Sequence, residues 1–315
     1  MRRGRIMKNK LLKSFLIGLS SVLLALSFVG CGDGSLSNSG SASKEEKVLD
    51  VIILGGQSNA LGLSNWTGSD LVYEDVDFFG YGEGVNVMSV SQVRWKKVQN
   101  GLGQNLLRFG PEMGIAQVCS ERYKDSERDI GIVKYAWGGQ KIYDYFLSPS
   151  SVEQGIGNLN SAKQYSDDED EMTCAIGFWN TVKTVREAEK QALRKGYDKV
   201  NIIAMCWMQG ESDACKIESA GIYDRLLSNF MQDIRFYLSV DDLPFAIGQV
   251  TPPAEAVYLK MLTEKQHEVI AADGNAVFVP SGDLKMKPDD LWHYDTPSMK
   301  ELGRRFGEAV FNFIG

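Results

Sequence analysis

From about residue 48 onward, apolar runs of strand length alternate with segments of helical periodicity. Val51-Ile52-Ile53-Leu54 is unbroken apolar, the pattern of a strand buried on both faces of a parallel sheet. It ends in Gly55-Gly56, and Gln57-Ser58-Asn59 follows at once. Further strands are expected over 130–136, 200–207, 245–250 and 276–279. Helices are expected over 111–123, with Pro111 in the first turn, and over 178–195, closing at Gly196. Three more are expected over 220–238, 254–271 and 298–313. Within 220–238, Ile222, Leu226, Leu227, Phe230, Met231 and Ile234 recur at helical spacing. Such alternation predicts a parallel sheet covered by helices on both faces, a three-layer α/β/α arrangement. No internal repeat or second hydrophobic unit interrupts it, so 48–315 reads as one domain. Two stretches read as irregular. Residues 61–109 are rich in Gly, Asn, Asp and Ser, with a short hairpin around 94–98. Residues 141–175 contain the acidic run 167–171, read as a solvated loop.

The first 47 residues follow a different pattern. Arg2, Arg3, Arg5, Lys8, Lys10 and Lys13 precede an apolar run over 15–29, and Gly30-Cys31 follows. This is the layout of a secretory signal, and its core is short for a membrane-spanning helix. Phe28-Val29-Gly30-Cys31 resembles a bacterial lipobox, which implies cleavage before Cys31 and lipidation of its thiol. Residues 31–47 are small and polar, the composition of a flexible tether. The expectation is an exported protein, lipid-anchored at the outer face of a bacterial membrane.

Composition narrows the chemistry. The 315 residues are 43% apolar and 24% charged, normal for a globular protein with a substantial core. The net charge is −7, and removing the basic leader makes the remainder still more acidic. An acidic body argues against a nucleic-acid partner, whose phosphates require Lys and Arg. Cys119, Cys174, Cys206 and Cys215 show no CxxC pattern or metal-ligand spacing, and their pairing is open. No cofactor or metal is expected. Any histidine base must be His267 or His293, because the chain has no other histidine. His267 falls among Lys and Glu in an expected helix and reads as a solvated residue.

Three expected strands end in polar, glycine-bearing segments: at Ser58, at Gly138-Gly139 and at Gln209-Gly210-Glu211. In a parallel sheet these ends converge on one edge, where ligands bind. A fourth polar cluster, Asp289-Asp290-Leu291-Trp292-His293, precedes the last helix.

Gly56-Gln57-Ser58-Asn59, Trp137-Gly138-Gly139, Gln209-Gly210-Glu211-Ser212-Asp213 and Asp290-Leu291-Trp292-His293 resemble the ordered blocks of an SGNH-type hydrolase. More narrowly they resemble the sialate O-acetylesterase and carbohydrate esterase family 6 branch. Gly110-Pro111-Glu112 and Leu302-Gly303-Arg304-Arg305 are further matches. Ala60 and Gln140 depart from the usual Met and Thr. The resemblance spans 48–315 and implies a flavodoxin-like sheet and a serine esterase.

Chemically, a serine hydroxyl attacks an ester only if a base takes its proton. His293 is the candidate base, and Asp290, three residues earlier, the acid that orients it. The resemblance implies oxyanion donors at the backbone N–H of Ser58, that of Gly139 or Gly138, and the Gln209 side-chain amide. Glu211 reads as a rival orienting acid or as a loop anchor, the anchor being favoured, and Asn59 as a supporting residue. Trp137, Trp207 and Trp292 are candidate surfaces for sugar rings. The expected activity is removal of O-acetyl groups from a glycan such as xylan or sialic acid. Deacetylation of the cell's own envelope polymer is an alternative, as is a non-catalytic glycan-binding lipoprotein.

Overall fold

The computed structural model describes residues 45–68, 71–84, 89–167, 170–250 and 256–315. The expected export segment, Cys31 and most of the expected 31–47 tether lie outside these residues.

In chain order the elements are β1 (Val48–Gly56), α1 (Ser58–Leu61), β2 (Ser64–Asn65), β3 (Val72–Gly82), β4 (Lys96–Gln99), β5 (Arg108–Phe109), α2 (Glu112–Tyr123) and β6 (Asp129–Ala136). Then come α3 (Pro149–Glu153), β7 (Ala162–Asp167), β8 (Asp170–Ala175), α4 (Ile176–Arg194), β9 (Lys199–Met208), α5 (Ile217–Ala220) and α6 (Tyr223–Leu238). The chain closes with β10 (Phe245–Gly248), α7 (Leu259–Asp273), β11 (Ala276–Val279), β12 (Met286–Lys287), β13 (Asp290–Tyr294) and α8 (Thr296–Ile314).

The main sheet runs β11-β10-β9-β1-β6-β3-β4, parallel throughout except for the antiparallel edge strand β4. Its five strands β6-β1-β9-β10-β11 have the flavodoxin-like order, and β3 and β4 extend it beyond β6. Strand order reverses between β1 and β9, whose carboxyl ends therefore flank the crevice where ligands bind in such sheets.

The unbroken apolar run of β1 serves both faces. Leu49, Val51 and Ile53 join α4, α6 and α7 in one core. Ile52 and Leu54 join α2 and α8 in the other. The second core depends on a close helix crossing. A Cβ on Gly114 would stand 2.1 Å from the Lys300 carbonyl oxygen, and one on Gly303 2.1 Å from that of Pro111. Only glycine permits that approach of α2 to α8, the helix that follows the His293 segment.

Both stretches read as irregular carry structure. Within 61–109, β3 spans eleven residues, and β4 pairs with it instead of forming a hairpin around 94–98. The amino end of β3 reaches beyond β6, whose pairing starts only at Val76. Glu74 and Asp75 are therefore tolerated there, and the strand lacks a continuous apolar run. Within 141–175, Ile142, Phe146 and Leu147 enter the core. The acidic run lies at the turn of the β7–β8 hairpin, with 168–169 outside the described residues. Cys119, Cys174 and Cys206 are buried free thiols, and the Cys215 Sγ donates to the Glu211 oxygen at 3.4 Å. His267 is exposed on α7, its ring 4.2 Å from that of Phe278.

Candidate active site

The serine is presented by a turn that only glycine can make. Gly56 has φ +139°, and a Cβ there would lie 1.9 Å from the Met208 carbonyl oxygen. That oxygen accepts from the Gln57 N–H at 3.0 Å, and the Gly56 oxygen accepts from the Trp137 N–H at 3.2 Å. The ends of β9, β1 and β6 are thus laced together directly behind Ser58, the first residue of α1.

A buried ion pair supports α1 from below. Lys134 Nζ donates to the Leu61 oxygen at 3.0 Å, to the Leu102 oxygen at 2.6 Å and to Glu112 Oε2 at 3.0 Å. Glu112 Oε1 accepts from the Gly110 N–H at 2.7 Å. Burial pushes the Lys134 ammonium below its ordinary pKa, with Glu112 pulling it back up.

His293 reaches the site through a bulge. Lys287 pairs with Asp290 and Met286 with Tyr294, so residues 291–293 protrude from the β12–β13 ribbon. Asp290 closes the protrusion: Oδ1 accepts from the Trp292 N–H at 3.1 Å, and Oδ2 lies 2.5 Å from His293 Nδ1. Burial raises the Asp290 carboxyl. The His293 hydrogen bond and charge, the Trp292 N–H and Lys287 outweigh it and hold the group below the ordinary range. The Asp295 side chain caps α8 by accepting from the Ser298 N–H at 2.9 Å, fixing the exit of the ribbon.

Ser58, Gly138, Gly139, Trp292 and His293 line one cleft of about 410 Å³. Ser58 is only 8% exposed, so this cleft is its route to a ligand. The Gly138 N–H is occupied, donating to Glu83 Oε2 at 2.7 Å. The N–H groups of Ser58 and Gly139 have no acceptor among the described residues. Of the two glycines expected to offer a donor, Gly139 therefore has the available one.

Glu211 and Asn59 sit beneath this constellation. Glu211 Oε1 accepts from Asn59 Nδ2 at 2.8 Å, and the same nitrogen donates to the Trp292 oxygen at 3.1 Å. Burial raises the Glu211 carboxyl above its ordinary range, with the Asn59 hydrogen bond opposing. Glu211 makes no hydrogen bond to His293 among the described residues, and its buried Oε2 has no partner among them either.

Two expectations are corrected by packing. Gln209 is fully buried, and its Nε2 donates to Asp213 Oδ2 at 2.5 Å, to the Gln140 oxygen at 3.1 Å and to Gln57 Oε1 at 3.3 Å. Its amide braces the floor and does not face the cleft. Trp207 is also fully buried, its ring 5.2 Å from Phe146 and 4.3 Å from Phe230, so it is core and not a sugar platform. Trp137 is half-buried and packs 5.9 Å from Tyr145. Of the three tryptophans, Trp292 is the one in the cleft wall.

Three residues were not singled out from the sequence. Gln57 Oε1 accepts from the Gly210 and Ser212 N–H groups at 3.4 and 3.3 Å, clamping the turn after β9. Asp213, fully buried, accepts from the Ile142 N–H at 3.0 Å and the Tyr143 N–H at 3.4 Å. Burial pushes its carboxyl up to about 7. Glu83 lines the cleft from the end of β3, a strand not anticipated. Gln57 and Asp213 lie inside quoted blocks, but nothing in their spacing separates an anchor from a surface residue.

Residues 48–312 match the sequence model of a family described as carbohydrate esterase, sialic acid-specific acetylesterase. A probable carbohydrate esterase of Arabidopsis thaliana is 23% identical over 272 residues, covering 83% of this chain and 90% of that protein. The X-ray structure of an Arabidopsis thaliana protein superposes with a TM-score of 0.61 at 20% identity, covering 84% of this chain and 99% of that one. A carbohydrate acetylesterase from Xanthomonas citri superposes with a TM-score of 0.52 at 16% identity, covering 85% of this chain and 56% of that one. These likenesses in structure concern the fold. The match along nearly the whole domain makes this chain a member of the sialic acid-specific acetylesterase family of carbohydrate esterases, and thus a carbohydrate acetylesterase.

Proposed function

We propose that this esterase removes O-acetyl groups from a glycan through an acyl-enzyme on Ser58, with His293 as base and Asp290 as orienting acid. The observation that carries the reading is the shared cleft. It holds a serine at a strand end and an imidazole whose Nδ1 is tied to a carboxylate at 2.5 Å. With Nδ1–H donated to Asp290, Nε2 is left to take the Ser58 proton.

Ser58 Oγ attacks the acetyl carbonyl carbon as its proton passes to His293 Nε2. Negative charge collects on the carbonyl oxygen, for which the N–H groups of Ser58 and Gly139, without other acceptors among the described residues, are the donors. One such donor is worth roughly 10²–10³ in rate. Collapse breaks the ester bond, and the leaving sugar oxygen takes the proton from His293. Water, deprotonated by His293, then releases acetate and restores the Ser58 hydroxyl. Asp290 stabilises the imidazolium in both halves without itself being protonated. Trp292 offers an aromatic face at the cleft wall for a sugar ring.

Ser58→Ala should abolish release of acetate from 4-nitrophenyl acetate and acetylated xylan while the circular dichroism spectrum stays unchanged. Substantial residual turnover would remove Ser58 from the mechanism. We also propose export and lipid attachment at Cys31, on the leader's residue pattern. Cys31→Ala should move the protein from the membrane fraction to the soluble one.

A further inference from the structure

The charge of the cleft bears on which acetylated sugars it admits. Glu83 follows the last residue of β3, and its N–H donates to the Ala136 oxygen at 3.2 Å. Its side chain is held at both ends. Oε1 accepts from Gln104 Nε2 at 2.8 Å and Oε2 from the Gly138 N–H at 2.7 Å. Both oxygens act as acceptors toward N–H donors, the role of a carboxylate. The group is half-buried in the wall that also holds Ser58, Gly139 and His293.

No cation is paired with this carboxylate among the described residues. No Lys or Arg lines the cleft. Lys287 and Arg108 stand at the cleft wall, where both donate to the oxygen of the lining residue Leu63, at 2.5 and 2.7 Å, and Lys287 also pairs with Asp290 at 3.7 Å; neither side chain itself lines the cleft. The stretches of the domain outside the described residues, 69–70, 85–88, 168–169 and 251–255, contain no Lys or Arg in their sequence. Recognition of a carboxylate ordinarily uses such cations, Arg above all. A like charge placed opposite costs affinity.

We infer that Glu83 sets the substrate class of this site: an O-acetylated sugar with no carboxylate near the scissile ester. The inference rests on the proposed esterase function and deepens it. The family is described by sialic acid, a carboxylated sugar, so this cleft departs from that description. Glu83 has a second task in the same position. By occupying the Gly138 N–H it fixes the peptide that leaves Gly139 as the available donor.

The test compares two substrates that differ only in charge, a mono-O-acetyl methyl glucoside and the same acetate of methyl glucuronide. In the wild type kcat/KM should favour the uncharged compound by about tenfold at low ionic strength. The gap should narrow as salt is added. In Glu83→Gln it should shrink to about threefold or less, mainly through KM of the glucuronide. The glutamine oxygen can still accept from Gly138, with Gln104 turning its own amide. The readout is a ratio within one protein, so a general loss of activity in the variant cancels. If the variant does not fold, the wild-type ratio and its salt dependence still decide. Equal or inverted preference in the wild type overturns the inference, as does a ratio unchanged by Glu83→Gln. Failure to hydrolyse either sugar and 4-nitrophenyl acetate would instead overturn the esterase mechanism beneath it.

Discussion

Asn59 and Glu211, 152 residues apart in sequence, are joined by a 2.8 Å hydrogen bond in the floor of the site. The same Asn59 nitrogen holds the Trp292 carbonyl, next to His293. The residue after Ser58 therefore also positions the segment bearing His293, and Glu211 steadies Asn59.

This arrangement separates the two acids. Asp290→Asn removes the negative charge that steadies the imidazolium and offers His293 Nδ1 an amide donor that favours the wrong tautomer, so kcat should fall by about 10³–10⁴-fold with little change in KM. Glu211→Gln keeps an oxygen for Asn59 and should reduce kcat by about tenfold or less, with a lower melting temperature. Steady-state kinetics on a chromogenic acetate decide, and the reverse ranking would exchange the roles of the two residues.

The Gly56 turn allows no side chain. Gly56→Ala would drive a methyl group into the Met208 carbonyl at 1.9 Å and place alanine at φ +139°. The ends of β1 and β9 must part, moving Ser58 relative to His293. Activity should drop by about 10² or more, and a crystal structure of the variant should show the Gln57 N–H to Met208 hydrogen bond broken.

Beneath α1, Lys134→Met leaves Glu112 buried without its cation and the Leu61 and Leu102 oxygens without their donor. Removing one partner of a buried pair typically costs about 3–5 kcal/mol. Urea unfolding should show a loss of that size. The double variant Lys134→Met/Glu112→Leu should lose less than the sum of the single ones, because no unpaired charge then remains.

Asp213 makes stability depend on pH. Its folded carboxyl titrates at about 7, against an ordinary 3.8. Between those values the folded state holds a proton that the unfolded chain has released. This group's contribution is therefore most favourable below about pH 4, declines as pH rises to about 7 and is flat above that. Melting temperatures measured from pH 4 to 8 should show this decline in the wild type and a weaker one in Asp213→Asn. Equal slopes in the two proteins would contradict the assignment.

Much of the site could be read along the chain because its chemistry is concentrated in short blocks. Asp290 and His293 lie within one bulge, so their partnership needed no knowledge of the fold. Ser58 ends an apolar run and follows two glycines, so its place at a strand end was also a local matter. Strand β3 has no local signature because its exposed half carries acids, and Glu83 at its end therefore has none either. Gln209 and Trp207 lie in or beside recognisable blocks, yet their side chains turn inward.

The sequence by itself determined the alternation of strands and helices, the strand ends that carry chemistry and the identity of nucleophile, base and acid as candidates. Local pattern suffices there, because burial on two faces and tight turns each demand particular residue types. Only the tertiary structure decided that Asn59 engages Glu211, that Gly139 and not Gly138 has its N–H available, and that Glu83 stands in the cleft wall. Those outcomes depend on which buried donors find acceptors from distant strands, and no spacing along one chain encodes that pairing.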